Sequence, residues 1–141
     1  GGSLLKALKK SPDARLIVMD DTTCMVDTAL NLARFYARES CGQCPACGAG
    51  THWLQKVLER VEKGEGRRED LELLGSVSGQ IAPLLEPSRT TLCSLGEEFA
   101  WSLLGLLRSF GEEFERHVVE GRCPIEKDRR IKVPETVSVR F

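Results

Sequence analysis

The sequence predicts a mainly α-helical protein, a four-helix bundle with a short N-terminal strand and one cysteine-rich loop. Two observations carry this prediction. Apolar residues recur every three or four positions in four segments, and glycine or proline separates those segments. The chain has 141 residues, 41% of them hydrophobic, which is enough for one buried core. We therefore expect an N-terminal segment over 1–22, a helical bundle over 23–120 and an extended tail over 121–141.

The first predicted element is a strand over residues 14–19, which are mostly apolar and partly β-branched. The Asp-Asp-Thr-Thr segment at 20–23 then offers four candidate helix N-caps. A first helix is predicted over about 23–38, because apolar side chains recur there at helical spacing: Met25, Ala29, Leu32, Ala33 and Tyr36.

The middle of the chain is predicted to form a loop and two helices. Residues 39–50 hold a proline and three glycines among three cysteines, which favours an irregular loop. The second helix is expected to start near Thr51 and to end at the glycines of 64–66. A third helix, short or bent, is predicted over 69–85 because glycines and Pro83 interrupt its apolar pattern.

The fourth helix, predicted over 95–119, has the clearest apolar face. Ser94 and Glu97 have the spacing of a capping box at its start. The carboxylate pairs at 97–98 and 112–113 are expected to face solvent, and Trp101, like Trp53 in the second helix, is expected in the core. The tail ends in an alternating segment over 131–141, which suits a strand or a partner-bound arm.

Charge and composition exclude several classes of function. With 20 Lys+Arg against 21 Asp+Glu, the chain lacks the positive field that a nucleic-acid binder needs. No apolar run is long enough for direct membrane insertion. No secretory signal is visible, so the six cysteines indicate a reducing, cytoplasmic environment. No phosphate-binding, dinucleotide-binding or nucleophile motif occurs, so no catalytic residue is predicted.

Three closely spaced cysteines are the main chemical signal. Cys41, Cys44 and Cys47 form a C-x2-C-x2-C run, a spacing that lets a loop turn around a metal cluster. Three thiolates can hold three irons of a cubane, and a remote cysteine holds the fourth. Cys93 is the predicted remote ligand, because it precedes the fourth helix, whose partly positive N-terminus stabilises negative charge. The sequence thus favours a [4Fe-4S] cluster over a two-iron cluster.

Other uses of the cysteines and histidines are less favoured. Structural zinc usually takes two C-x2-C pairs, and disulfides need an oxidising compartment. A thioredoxin-type pair would need a neighbouring βαβ pattern. Cys24 is expected to pack in the core as a small apolar residue, and Cys123 stands apart from the other cysteines. His52 is expected either at the surface or near the cluster as a hydrogen-bond donor; His117 is a single histidine on a predicted helix.

These residues resemble a known family. The run from Glu39 to Gly50, ESCGQCPACGAG, is similar to the Glu-Ser-Cys-Gly-x-Cys-x-Pro-Cys-Arg-x-Gly hallmark in the C-terminal part of the NADH-binding flavoprotein subunit of respiratory complex I. NAD-linked hydrogenases and formate dehydrogenases share that region. The similarity extends over residues 14–124, through LCSLG at 92–96 and FGEEFE at 110–115. The chain differs by its inverted Pro45-Ala46 order and by Gly48, where the family has arginine.

The resemblance implies a helical bundle that holds one [4Fe-4S] cluster on Cys41, Cys44, Cys47 and Cys93. It implies that segment 1–22 is the end of a preceding domain. FMN and NADH are then expected on a missing domain or a partner, so this chain alone is not expected to oxidise NADH. Expected partners are other subunits of an NADH-dehydrogenase-like complex, including a flavin-bearing domain and a further iron–sulfur protein.

The leading hypothesis is therefore electron transfer through a [4Fe-4S] cluster within an NADH:quinone oxidoreductase, NAD-linked hydrogenase or formate dehydrogenase. The expected location is cytoplasmic, either free or attached to the inner membrane through a complex. The alternative is a structural or interaction module, in which zinc or a degenerate cysteine site fixes a loop that docks to a larger complex. A redox sensor that uses labile cluster loss is a third hypothesis.

Overall fold

Four α-helices form the part of the chain that the computed structural model describes, which is residue 17, residues 19–83 and residues 90–125. They are α1 (Met25–Glu39), α2 (Pro45–Glu62), α3 (Arg68–Ile81) and α4 (Leu95–Glu120). The mainly α-helical prediction is confirmed. The predicted tail strand at 131–141 lies outside the described residues, as does most of the predicted strand at 14–19. Within the described ranges, none of the helices combines the length and the apolar character that a membrane span requires.

Helix α1 begins at Met25, and its cap lies one residue after the predicted caps. Cys24 is the N-cap, and the Sγ of Cys24 accepts a hydrogen bond from the backbone N–H of Asp27 at 3.3 Å. The prediction that a residue of 20–23 caps this helix is wrong, because Asp20 accepts hydrogen bonds from Thr22 and Thr23 within the preceding turn. At the same end, Oε1 of Glu113 accepts from the N–H of Met25 at 2.7 Å.

Helix α2 starts at Pro45, six residues before the predicted start near Thr51. Proline is favoured at the first helical position, since its φ angle is already helical and its missing N–H would have no partner there. The nearby glycines allow close packing. A Cβ added at Gly48 would lie 3.1 Å from the Cα of Gly42, and one added at Gly50 would lie 2.8 Å from Cδ1 of Ile81. The predicted irregular loop is therefore confined to 40–44.

Helices α3 and α4 largely follow their predicted ranges. Helix α3 ends at Ile81, because the residue before Pro83 is disfavoured in helical conformation. Helix α4 extends to Glu120, with a local break at Phe110 (φ −128°, ψ 24°). The predicted capping box is absent: Ser94 makes no side-chain cap, and its Oγ donates to Oε1 of Glu98 at 2.7 Å. The prediction that Glu97 faces solvent is wrong, because this side chain is buried.

The core lies between the four helices. Its largest fully buried side chains include two aromatic residues of α4, Phe99 and Phe114. Tyr36 of α1 stacks on Phe99 with ring centroids 5.3 Å apart. Trp53 and Trp101 are 47% and 49% exposed, so the prediction that they are core residues is wrong. The inner face of α2 is filled instead by smaller residues: Thr51, Leu54, Val57, Leu58 and Val61.

The C-terminal ends of α2 and α4 meet through two glycines. Gly64 has φ +77°, and a Cβ there would lie 2.0 Å from the carbonyl oxygen of Gly121. Gly121 ends α4 with φ +62°. Both backbones adopt left-handed conformations that favour glycine. This contact sets the turn that follows α4 against the end of α2.

Replacing Gly64 by alanine is expected to destabilise the protein by about 1–3 kcal/mol, because the new Cβ would strain the backbone and collide with Gly121. Gly75→Ala is the control: it lies within α3, nothing is within 4 Å of its added Cβ, and we expect no loss of stability. Urea unfolding followed by circular dichroism measures both. Equal stability of the two variants would show that the glycine contact is unimportant.

Candidate metal centre

All four predicted ligands line one cavity at one end of the bundle. The cavity has a volume of about 130 Å³, and its walls are formed by eight residues: Glu39, Ser40, Cys41, Cys44, Cys47, Thr91, Cys93 and Leu95. Cys47 is buried, Cys44 is half-buried, and Cys41 and Cys93 are exposed. The structure therefore brings the C-x2-C-x2-C run and the distant Cys93 together, with one side of the thiol set open.

Three helix ends deliver these side chains. Glu39 and Ser40 close α1, Cys44 is the N-cap of α2, and Cys93 precedes Leu95, the first residue of α4. The N-termini of α2 and α4 thus both border the cavity. Since a helix N-terminus carries partial positive charge and free N–H groups, both ends favour thiolates and a negatively charged cluster.

Hydrogen bonds at the cavity also fit sulfur in its anionic form. The backbone N–H of Leu92 donates to the Sγ of Cys44 at 3.3 Å. The Oγ of Ser40 lies 3.4 Å from the Sγ of Cys47 and can donate to it. Four thiols supply the ligand set that a [4Fe-4S] cluster takes from proteins. The donor chemistry of this cavity therefore fits the cluster.

Gly96 makes the cavity possible by allowing α4 to approach α2. A Cβ at Gly96 would lie 3.0 Å from the Cβ and 3.1 Å from the Sγ of Cys47. Thr91, on the other side of Gly96, donates from its hydroxyl to the carbonyl oxygen of Cys93 at 2.8 Å. The glycine and the threonine together fix Cys93 beside the buried thiol of Cys47. The sequence pattern identifies the cysteines but contains no signal for these two supporting residues.

The other candidate ligands lie elsewhere. His52 is exposed, and its Nδ1 lies 2.8 Å from the carbonyl oxygen of Gly48 in its own helix. Cys24 packs against the core, as expected. At the opposite end of the bundle it also meets Glu62, His117 and Cys123, with all four ligand-type atoms within 4.8 Å of one another. No short sequence motif connects these four residues, so sequence patterns could not reveal this second cluster.

Electrostatics differ strongly in this second cluster. Burial raises the pKa of the Cys24 thiol. Burial lowers the pKa of His117, but its hydrogen bonds with Glu62 and with the carbonyl of Glu113 raise it more, so that the pKa is about 9. Nε2 of His117 lies 3.4 Å from Oε2 of Glu62, and the protonated ring therefore forms an ion pair with that carboxylate.

Comparison with known proteins decides the family. Residues 27–117 match the family described as the NADH-ubiquinone oxidoreductase-F iron-sulfur binding region. This chain belongs to that family. The membership confirms the predicted resemblance, and it confirms a [4Fe-4S] cluster as the cofactor of this iron–sulfur binding region.

Individual relatives agree with the family assignment. The chain is 40% identical over 105 residues to the mitochondrial NADH-ubiquinone oxidoreductase 51 kDa subunit of Neurospora crassa, a match that covers 74% of this chain and 20% of that protein. It is also 40% identical over 122 residues to an NADH-quinone oxidoreductase F-type subunit of Rhizobium meliloti, covering 86% and 28%. The chain thus spans less than a third of these relatives.

Gly96→Ala is expected to reduce cluster retention, because its Cβ would press on the Cβ and Sγ of Cys47. Gly105→Ala, in the same helix with nothing within 4 Å of the added Cβ, is the matched control. Iron and sulfide per chain after anaerobic reconstitution, and the rate of bleaching in air, measure the effect. We expect several-fold faster bleaching for Gly96→Ala and no change for Gly105→Ala; identical behaviour would contradict the role of Gly96.

Proposed function

We propose that this chain transfers electrons through a [4Fe-4S] cluster held by Cys41, Cys44, Cys47 and Cys93, as part of an NADH-dehydrogenase-type assembly. The observation that carries the proposal is that these four thiols line one cavity bordered by two helix N-termini. Family membership supports the same cofactor.

The spacing of the four thiols favours a cluster over a single zinc ion. Four sulfurs on one tetrahedral zinc, each bonded at about 2.3 Å, lie about 3.8 Å apart. Within the described ranges, the side chains that converge closely enough to share one ion are those of the second cluster, and the four cavity cysteines are not such a group. A more open set of thiolates suits a polynuclear cluster, whose ligands bind different irons.

The cluster, when bound, supplies the capacity to accept and release single electrons. The residues of this chain control its surroundings. The N–H of Leu92 and the two helix N-termini stabilise added negative charge, which favours the reduced state. Buried Cys47 anchors the inner side, while exposed Cys41 and Cys93 mark the side where an electron-transfer partner can approach. The protein thereby orients one face of the site toward its partners.

The assembly is also part of the proposal. The relatives are subunits of NADH-quinone and NADH-ubiquinone oxidoreductases by name. We propose that a flavin-bearing domain, which binds FMN and NADH, supplies the electrons and that a further iron–sulfur protein receives them. The proposed location is the cytoplasmic side, peripheral to the inner membrane. Segment 1–22 would join the bundle at 23–120 to the preceding domain, and 121–141 would form a tail.

Removing the remote ligand tests the proposal. We expect wild-type protein to take up about four irons and four sulfides per chain on anaerobic reconstitution and to give an EPR signal when reduced. Cys93→Ser should lose iron or convert the cluster, because the fourth iron loses its thiolate. Cys24→Ser, at the opposite end of the bundle, should retain the iron content and the EPR signal.

Two outcomes would contradict this function. Wild-type protein that contains zinc at the four-thiol cavity and no iron would favour the structural module instead. Equal loss of iron in Cys93→Ser and Cys24→Ser would show that the ligand assignment is wrong. Circular dichroism of both variants distinguishes ligand loss from unfolding.

A further inference from the structure

A second group of metal-ligating side chains lies at the end of the bundle opposite the thiol cavity. Cys24 precedes α1, Glu62 ends α2, and His117 and Cys123 lie at and after the end of α4. Their four ligand-type atoms lie within 4.8 Å of one another. His117 is fully buried and Glu62 is buried, whereas Cys24 and Cys123 are half-buried. The four-thiol site uses none of these residues.

The separations in this group match those in a tetrahedral zinc site. The Sγ of Cys24 lies 3.3 Å from Nε2 of His117 and 3.6 Å from Oε2 of Glu62, and the last two atoms lie 3.4 Å apart. Bonds of about 2.0–2.3 Å at tetrahedral angles place ligand atoms about 3.3–3.8 Å from one another. We propose that Cys24, Glu62, His117 and Cys123 form a structural zinc site.

The surrounding hydrogen bonds already orient two of the ligands. Nδ1 of His117 lies 2.8 Å from the carbonyl oxygen of Glu113, so its proton can be held there while Nε2 faces the other ligands. Metal-binding histidines usually have such a partner on the second ring nitrogen. The N–H of Asp27 donates to the Sγ of Cys24 at 3.3 Å, which favours the thiolate form at the N-terminus of α1.

The choice of zinc follows from the donor atoms. Two thiolates and an imidazole suit zinc, and a carboxylate completes four ligands. Burial of these groups is costly unless their charges are compensated, and a doubly charged cation compensates the two thiolates and the carboxylate. The C-terminal ends of α2 and α4, which lie here, carry partial negative charge and also favour a cation.

The site would attach the turn after α4 to the rest of the bundle. The close contact of Gly64 with Gly121 places this turn beside the end of α2. Cys123 follows within the turn, where its Sγ donates to the carbonyl oxygen of Ile125 at 3.4 Å. Zinc would therefore connect three helix ends with the start of the C-terminal segment and stabilise that end of the fold.

The two metal sites are far enough apart to be tested separately. Cys44 and Glu62 stand at the two ends of α2, and a rise of 1.5 Å per residue separates them by about 27 Å. Substitutions at such distances are expected to act independently. Loss of zinc from one end should leave iron binding at the other end intact, and the reverse also holds.

The test uses the full 141-residue chain, produced with zinc supplied and purified without a histidine tag or chelator. Zinc and iron are measured by inductively coupled plasma mass spectrometry, and the zinc environment by X-ray absorption. We expect about one zinc per chain, with two sulfur ligands near 2.3 Å and two nitrogen or oxygen ligands near 2.0 Å. Cys123→Ser should lose most of the zinc and keep its iron, whereas Cys41→Ser should keep its zinc.

Several results would overturn the zinc site. Wild-type protein without zinc would show that the group is only a hydrogen-bonded network, and a mass lower by two hydrogens would indicate a disulfide between Cys24 and Cys123. A zinc environment of four sulfurs would place the metal in the thiol cavity instead. Unchanged zinc in a folded Cys123→Ser variant would also refute the assignment. Glu62→Gln, which keeps the side-chain shape, gives a second variant and should weaken zinc retention.

Discussion

The close packing of the first turn of α4 on the first turn of α2 is the contact on which the candidate cluster site depends. Gly96 lies directly against Cys47, and any larger residue would push the buried thiol away. Because the two first turns meet here, both helix N-termini point toward the same cavity, and Cys93 reaches the three thiols of the run. The contact therefore creates the ligand set and its favourable electrostatic environment together.

Local sequence patterns predict the features that depend on nearby residues. Helical spacing of apolar residues places α1, α3 and α4 to within a few residues, because a helix that packs on one side needs that period. The C-x2-C-x2-C run identifies three candidate ligands for the same reason: their spacing is local. Cys93 is predicted from its place before a helix, and the structure puts it at the same cavity.

Features that depend on contacts between distant segments could not be predicted. Gly48 and Gly50 suggest a loop, but they lie within α2, where they permit contact with Gly42 and Ile81. Glu97 has the pattern of an exposed capping residue and is buried, where it accepts a hydrogen bond from Thr91. The cluster of Cys24, Glu62, His117 and Cys123 spans almost the whole bundle in sequence, so only the fold brings these four residues together.

Helix direction gives a physical reason for two different sites at the two ends of one bundle. Helices α2 and α4 run in the same direction, with their N-termini at the four-thiol cavity and their C-termini at the second cluster. Partial positive charge at the N-termini favours an anionic cluster, and partial negative charge at the C-termini favours a cation. Helix α1 runs in the opposite direction, and its N-terminus donates a hydrogen bond to the thiol of Cys24. The same parallel pair of helices can therefore stabilise electron transfer chemistry at one end and a structural ion at the other.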